Sequence, residues 1–284
     1  MLYFTARMMI DAHQHFWKYD PVRDAWIDES MQAIQRDFLP SDLKPLLAAN
    51  GVDGCIAVQA DSSLSETDFL LDLASRHSFI RGVVGWVDLH SPQVTQQLAN
   101  YTDQEKLVGV RHIVQAEEPG FMDGDDFRRG IGQLQKHGLT YDILIHHDQL
   151  VESIRLVAAF PDQPFVIDHL AKPVIAGQPD REWVSQLRAI AKHENVWCKL
   201  SGMVTEVPGR DWTLQLLKPY VQEVLDAFGP QRVMYGSDWP VCLVAASYAQ
   251  QMEALKGACA ELSAEEQRAV FGENAASFYG IGSA

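Results

Sequence analysis

Short apolar runs and longer segments with helical periodicity alternate along the chain. The runs are rich in β-branched side chains, as is typical of buried parallel strands. Several of the segments between them begin or end at a residue that favours a helix terminus. The predicted strands cover residues 9–13, 54–59, 82–87, 107–113, 141–146, 165–168, 196–200 and 232–235. The predicted helices cover residues 41–50, 65–77, 125–137, 149–160, 181–193, 212–228 and 247–261.

This alternation of eight strands with helices predicts the α/β class and a single closed (β/α)8 barrel of the TIM type. The length of 284 residues is near the ~250 that are typical of one such barrel. An open doubly wound sheet that binds a nucleotide is less favoured, because no Gly-x-Gly-x-x-Gly phosphate-binding turn follows any of the predicted strands. We expect one domain over residues 9–284, with residues 1–8 an expression scar or an alternative start. Residues 17–40 are predicted to form a loop that covers the barrel mouth.

Two helix ends carry specific signals. Gly51 follows the first predicted helix, where a C-cap glycine is expected. Ser65 and Asp68 resemble a capping box, with aspartate in place of the usual glutamate, at the start of the second.

Charge and cysteine usage narrow the classes of partner. The net charge is −15 and the isoelectric point is about 5.0, which disfavours nonspecific binding to nucleic acid or anionic lipid. No run approaches the ~20 apolar residues that span a membrane, so a small-molecule substrate fits best. The cysteines are scattered along the chain, which indicates buried free thiols in a reducing compartment, so we expect a cytoplasmic protein. The sequence does not predict its oligomeric state. The cysteines are Cys55, Cys198, Cys242 and Cys259.

Two histidines one residue apart follow the first apolar run, in the motif His13-Gln14-His15. Because side chains alternate along a strand, His13 and His15 are predicted to point the same way. Neutral imidazole is the commonest metal ligand, so the pair indicates half of a metal or catalytic site.

Other polar residues follow the later strands, at the end of the barrel where active sites lie. His169 directly follows a buried run, and Asp238 follows the last strand. An isolated carboxylate at a barrel centre is costly unless it is paired with a cation or protonated. Asp238 therefore indicates metal or proton-transfer chemistry.

Several motifs along the chain carry a family resemblance. His13-Gln14-His15, Asp168-His169 and Gly236-Ser237-Asp238-Trp239-Pro240 resemble the amidohydrolase superfamily, and residues 271–278 resemble its C-terminal helix. Residues 82–89, 108–112, 168–173, 198–202 and 236–242 resemble the sugar-lactone hydrolase branch, which includes L-fuconolactone and L-rhamnonolactone hydrolases.

The resemblance implies at most one divalent ion, with zinc the first candidate, held by His13, His15, His169 and Asp238 or a subset of them. Binuclear members carry a bridging lysine on the fourth strand, whereas this chain has Val110-Arg111-His112 there. Because some relatives of this branch need no metal, the resemblance does not decide whether this protein requires an ion.

The expected reaction is hydrolysis of a sugar lactone, with Asp238 as the general base and the three histidines or an ion stabilising the oxyanion. A metal-dependent decarboxylase and a non-catalytic sugar-acid binding module are the alternatives. Serine nucleophile catalysis is disfavoured, because no Gly-x-Ser-x-Gly elbow is present. Arg111 is expected either to bind substrate or to pair with a neighbouring acid. The predicted substrate-binding residues are Trp17, Arg111, His112, His147 and Lys172.

Overall fold

The protein is described by a computed structural model that covers residues 8–282. The expectation about residues 1–8 therefore lies, apart from Met8, outside the described residues. Eight parallel strands follow one another around a barrel in chain order, which confirms the predicted (β/α)8 architecture. They are β1 Ile10–Gln14, β2 Gly54–Val58, β3 Ile80–Gly85, β4 Leu107–Ile113, β5 Thr140–Leu144, β6 Phe165–Ile167, β7 Val196–Leu200 and β8 Val233–Tyr235.

The helices surround the strands. They are α1 Pro40–Asn50, α2 Leu64–Arg76, α3 Val94–Ala99, α4 Asp125–Leu134, α5 Leu150–Ala159, α6 Arg181–Ile190, α7 Leu214–Phe228, α8 Tyr248–Ala258, α9 Ala264–Arg268 and α10 Asn274–Phe278. A π-helical turn, Ala269–Glu273, joins α9 to α10. The expected C-terminal helix is thus the end of a longer helical segment. Within residues 8–282, no helix is long and apolar enough to cross a membrane.

Two apolar layers hold the barrel together. The larger layer lies between the strands and the helices. The smaller fills the barrel interior with residues such as Ile10, Ile56 and Val166, and Tyr279 and Ile281 pack against it. Burial of β-branched side chains on both faces explains why the strands appear as short apolar runs.

The barrel closes between β8 and β1 just beyond their ends. Asp238 N donates to His13 O at 2.8 Å, and His15 N donates to Trp239 O at 2.7 Å. These bonds fix the backbone on both sides of the seam, so residues that follow β1 and β8 face one another.

The loop after β1 folds back on itself and is tied to its neighbours. Trp17 and Phe38 form an antiparallel bridge. The 3-10 helix Glu29–Ile34 packs against the segment Val241–Val244, which follows β8. Arg210, after β7, donates to Ser30 O at 2.6 Å. The loop therefore lies over the barrel mouth, as the sequence predicts.

The capping prediction for α2 was wrong. Ser63 is the N-cap, because its backbone is extended and its Oγ accepts from Glu66 N at 3.2 Å. Ser65 lies inside the first helical turn, and Asp68 accepts a hydrogen bond from Tyr101. The C-cap prediction was correct, since Gly51 has a φ of 69°.

Candidate active site

His13 and His15 converge at the C-terminal end of β1. Their side chains leave the same face of the strand, and the two Nε2 atoms lie 3.2 Å apart. Both residues are buried. Two imidazoles thus reach one point with no further rearrangement.

His169 is placed by an unusual backbone turn. Four consecutive non-glycine residues, His169 to Lys172, have φ between 47° and 61°. This left-handed region is disfavoured for residues with a Cβ. The turn is held by Lys172 N, which donates to His169 O at 2.7 Å, and by Trp183 Nε1, which donates to Leu170 O at 3.0 Å. Such local strain is typical of functional sites.

Asp238, which also has a positive φ, of 55°, brings its carboxylate to the histidines. Its Oδ1 lies 3.3 Å from His15 Nε2, 3.8 Å from His13 Nε2 and 4.0 Å from His169 Nε2. Ligand atoms of His13, His169 and Asp238 all lie within 4.8 Å of one another. We call His13, His15, His169 and Asp238 the central cluster.

The hydrogen bonding of His15 constrains what the cluster can hold. His15 Nδ1 lies 2.8 Å from Val58 O, and because a carbonyl only accepts, Nδ1 carries a proton. The other ring nitrogen of His15, Nε2, faces the carboxylate of Asp238. At 3.3 Å from this carboxylate oxygen, Nε2 is favourable only with a proton or a cation between the two atoms. The donor set therefore fits a divalent metal ion.

Burial sets the protonation of two of these histidines. It lowers the pKa of His169 to about 4, against the opposing charges of Asp238 and Asp168. It also lowers the pKa of His13 well below its ordinary value, although the charge of Asp168 opposes this. Both imidazoles are thus uncharged at neutral pH, in the form that binds metal.

The pKa of Asp238 is also lowered, but by its neighbours rather than by burial. Burial would raise the pKa of its carboxyl, but His169, His15 and His13 together hold that pKa well below the usual range. Asp238 is therefore a carboxylate at neutral pH and able to accept a proton.

A second group of charged residues lies beneath the cluster, inside the barrel. Lys199 Nζ lies 2.5 Å from Asp142 Oδ2 and 3.0 Å from Asp168 Oδ1. Arg111 Nη1 donates to Asp168 Oδ2 at 3.0 Å. We call Arg111, Asp142, Asp168 and Lys199 the interior charge network. It contains two cations and two carboxylates, so the buried charges compensate.

The network touches the cluster through His13. Its Nδ1 lies 3.2 Å from Lys199 Nζ and 3.3 Å from Asp168 Oδ1, so it can accept from the lysine or donate to the carboxylate. At the other end, Tyr279 OH donates to Asp142 Oδ2 at 2.8 Å. A continuous polar path therefore runs from the base of the barrel to His13.

Sequence reasoning assigned no role to Asp142, Asp168 or Lys199. The available signal was a charged residue within an apolar run, as in Tyr141-Asp142-Ile143 and Cys198-Lys199-Leu200. A charge inside a buried strand requires a partner, so the two strands could have been paired on that ground.

The structure places two of the expected substrate-binding residues on the rim. Lys172 Nζ lies 3.9 Å from Glu206 Oε1, and both side chains are partly exposed. His147 is also partly exposed. A cavity of about 500 Å³ adjoins Glu206 on the side of Val207 and Arg210, and no residue of the central cluster lines it.

The other expected contacts are engaged by the protein itself. Trp17 Nε1 donates to Arg36 O at 2.9 Å. His112 accepts at Nδ1 from Trp86 Nε1 at 3.2 Å, and its Nε2 lies 2.8 Å from Glu117 Oε1. Arg111 pairs with a buried acid, Asp168, which was the second of the two expectations for that residue.

Comparison with known proteins identifies the family. The family model described as amidohydrolase matches residues 10–281. The chain belongs to this amidohydrolase family. An L-fucono-1,5-lactonase from Burkholderia multivorans is 40% identical, with 96% of each chain covered. An L-rhamnono-gamma-lactonase from Scheffersomyces stipitis is 25% identical over 52% of this chain and 49% of its own.

A solved structure of an amidohydrolase from Burkholderia multivorans, with bound zinc, has the same fold. It is 39% identical, covers 97% of this chain and 100% of its own, and superposes with a TM-score of 0.92. The amidohydrolase assignment agrees with the resemblance carried by the motifs around His13, Asp168 and Asp238.

Proposed function

We propose that this amidohydrolase opens a sugar-acid lactone by water attack on the ester carbonyl, with L-fucono-1,5-lactone as the first candidate substrate. The observation that carries the proposal is the ionised carboxylate of Asp238, held 3.3 to 4.0 Å from three imidazole nitrogens. The lactonase relative at 40% identity over 96% of the chain supports the choice of substrate class.

In the proposed reaction Asp238 is a general base and then a general acid. A water adds to the carbonyl carbon while Asp238 takes its proton, and the carbonyl electrons move to the oxygen. The tetrahedral oxyanion then collapses, the bond to the ring oxygen breaks, and Asp238 returns the proton to that oxygen. The product is a hydroxy acid whose carboxyl group ionises and releases a proton to the medium.

The central cluster is the proposed site of one divalent ion, with zinc the first candidate. The convergence of ligand atoms from His13, His169 and Asp238 and the uncharged state of His13 and His169 support this assignment. When bound, such an ion supplies Lewis-acid stabilisation to a developing oxyanion. The chain's own contribution is to hold the ligand atoms in place and to keep Asp238 ionised.

The remaining residues divide by position. Lys172 and His147, which are partly exposed on the rim, are proposed to contact the hydroxyl groups of the sugar. Trp17 and His112, whose polar atoms already have partners in the protein, are proposed to form the walls of the pocket. Arg111 is proposed to donate a hydrogen bond to His13 rather than to the sugar.

The test is acid release, measured with a pH indicator, on a panel of aldono- and aldarolactones. We expect hydrolysis well above the spontaneous rate, and a large loss in Asp238→Asn with the fold intact. Asp148→Asn, an exposed carboxylate after β5, is the matched control and should keep its activity. No acid release from any lactone, with zinc or manganese supplied to folded protein, would overturn the proposal.

A further inference from the structure

The guanidinium of Arg111 contacts the ring nitrogen of His13 that the proposed metal ion would use. Arg111 Nη1 lies 3.2 Å from His13 Nε2, the ring nitrogen that faces Asp238. Arg111 is only 3% exposed, so water does not screen its charge there. A fixed positive charge thus lies against one of the four proposed ligands.

This placement of Arg111 is enforced by its other hydrogen bonds. Gln59 accepts from Nε at 3.1 Å and from Nη2 at 2.9 Å through its Oε1, and its backbone carbonyl also accepts from Nη2. Asp168 Oδ2 accepts from Nη1 at 3.0 Å. These contacts use four of the five guanidinium N–H groups, and the fifth points at His13. The guanidinium cannot turn away without leaving a buried donor unpaired.

His13 Nε2 has a single lone pair in the plane of its ring. That lone pair can accept the hydrogen bond from Arg111 or bind a metal ion, but it cannot do both. A divalent ion bound to His13 would also be repelled by the guanidinium at close range in a buried site.

We propose that Arg111 competes with the divalent ion for His13 Nε2, so that the ion is bound weakly and exchanges. When the ion is bound, His13 donates from Nδ1 to Asp168 Oδ1, which lies 3.3 Å away and also contacts Lys199 Nζ at 3.0 Å. When the ion is released, the guanidinium again donates to Nε2. The inference rests on the proposed ligand set and is independent of the identity of the lactone.

The test measures zinc binding in the absence of any substrate. Zinc affinity is determined by competition with a chromophoric chelator for the wild type, Arg111→Gln and Arg111→Lys, with folding checked by circular dichroism. Gln removes the charge but keeps a donor for Asp168, whereas Lys keeps the charge. We expect Arg111→Gln to bind zinc about tenfold more tightly or better, and Arg111→Lys to stay within about threefold of the wild type. Equal or weaker zinc binding by Arg111→Gln would overturn the proposal.

A second measurement needs no variant. In crystals of the wild type soaked with zinc, Arg111 Nη1 should move out of hydrogen-bond distance from His13 Nε2. Zinc bound to that nitrogen with Nη1 still within hydrogen-bond distance of it would overturn the competition, and so would tight zinc binding by the wild type that Arg111→Gln does not improve. Lactone hydrolysis enters neither measurement, so failure here is distinct from failure of the proposed function.

Discussion

Lys199 Nζ lies 2.5 Å from Asp142 Oδ2 inside the barrel, and neither side chain is exposed to solvent. The same ammonium lies 3.0 Å from Asp168 Oδ1, so one lysine contacts two buried carboxylates, and Arg111 supplies the second cation. Burial nevertheless raises the pKa of Asp142 to about 6, against the opposing charge of Lys199. The interior charge network is therefore stable only while its cations are in place.

Replacing Lys199 with Met should destabilise the fold strongly. The change leaves two carboxylates without this cation in a site that water does not reach, at a cost of about 3–5 kcal/mol in the free energy of unfolding. Urea unfolding of the variant at neutral pH measures it. Lys218→Met is the matched control, because Lys218 pairs with Glu261 on the surface at 2.6 Å, and it should cost ~0–1 kcal/mol. Equal losses in the two variants would contradict the assigned role of the network.

Asp168→Asn should weaken zinc binding. The carboxylate orients His13 by offering an acceptor to Nδ1, and loss of such an outer partner typically costs about 10–100-fold in metal affinity. Chelator competition on the folded variant measures the effect. Asp142→Asn removes a carboxylate from the same network without touching His13, so its zinc affinity should fall less. A zinc affinity of Asp168→Asn that matches the wild type would show that His13 needs no such partner.

The barrel could be predicted from the sequence because its strands are buried on both faces. Two strands, β4 and β7, have the predicted bounds, although Arg111 and Lys199 interrupt their apolar runs. The short helix α3 was missed. It has six residues and no side-chain cap, so it carries neither a long periodic pattern nor an N-terminal signal.

Part of the candidate site could be predicted as well. His13, His15, His169 and Asp238 follow strands, and the fold itself brings strand ends together. The interior partners of Arg111 could not be predicted in the same way. Whether Arg111 faces a substrate or Asp168 depends on side-chain direction and on the position of Gln59 across the barrel, which no local motif records.

Gly202 permits the close approach of β7 to the central cluster. A Cβ at this position would lie 2.6 Å from His169 Nδ1 and 3.3 Å from Asp238 Oδ2. Gly202→Ala should therefore displace His169 and lower kcat/KM for lactone by about 100-fold, since a shift near 1 Å can cost that much. Steady-state acid release measures it.

The control for Gly202→Ala is Gly51→Ala, at the end of α1. The two glycines have φ of 65° and 69°, so alanine is strained equally at both, but a Cβ on Gly51 meets no atom within 4 Å. Both variants should lose ~1–2 kcal/mol of stability, and Gly51→Ala should keep its activity. Similar kinetic losses in the two would mean that general strain, rather than contact with His169, lowers the rate.

Glu66 is a buried carboxyl whose ionisation opposes folding. Its Oε1 accepts from Ala60 N at 3.1 Å, and the residue is 6% exposed. Burial raises the pKa of Glu66 from 4.5 to about 7. Between these two values the folded state binds more protons than the unfolded state. Glu66 thus contributes stability that is fully present below pH 4.5 and is lost as the pH rises through 7.

Glu66→Gln should remove this dependence while keeping the acceptor for Ala60 N. At about pH 8 the glutamine variant should be more stable relative to the wild type than it is at pH 4.5, by about 1–3 kcal/mol. Urea unfolding of both proteins at both pH values measures this difference, in which the titration of all other groups cancels. If the difference between the two proteins does not change with pH, Glu66 is ionised in the folded state as readily as in the unfolded chain, and its burial does not control its charge.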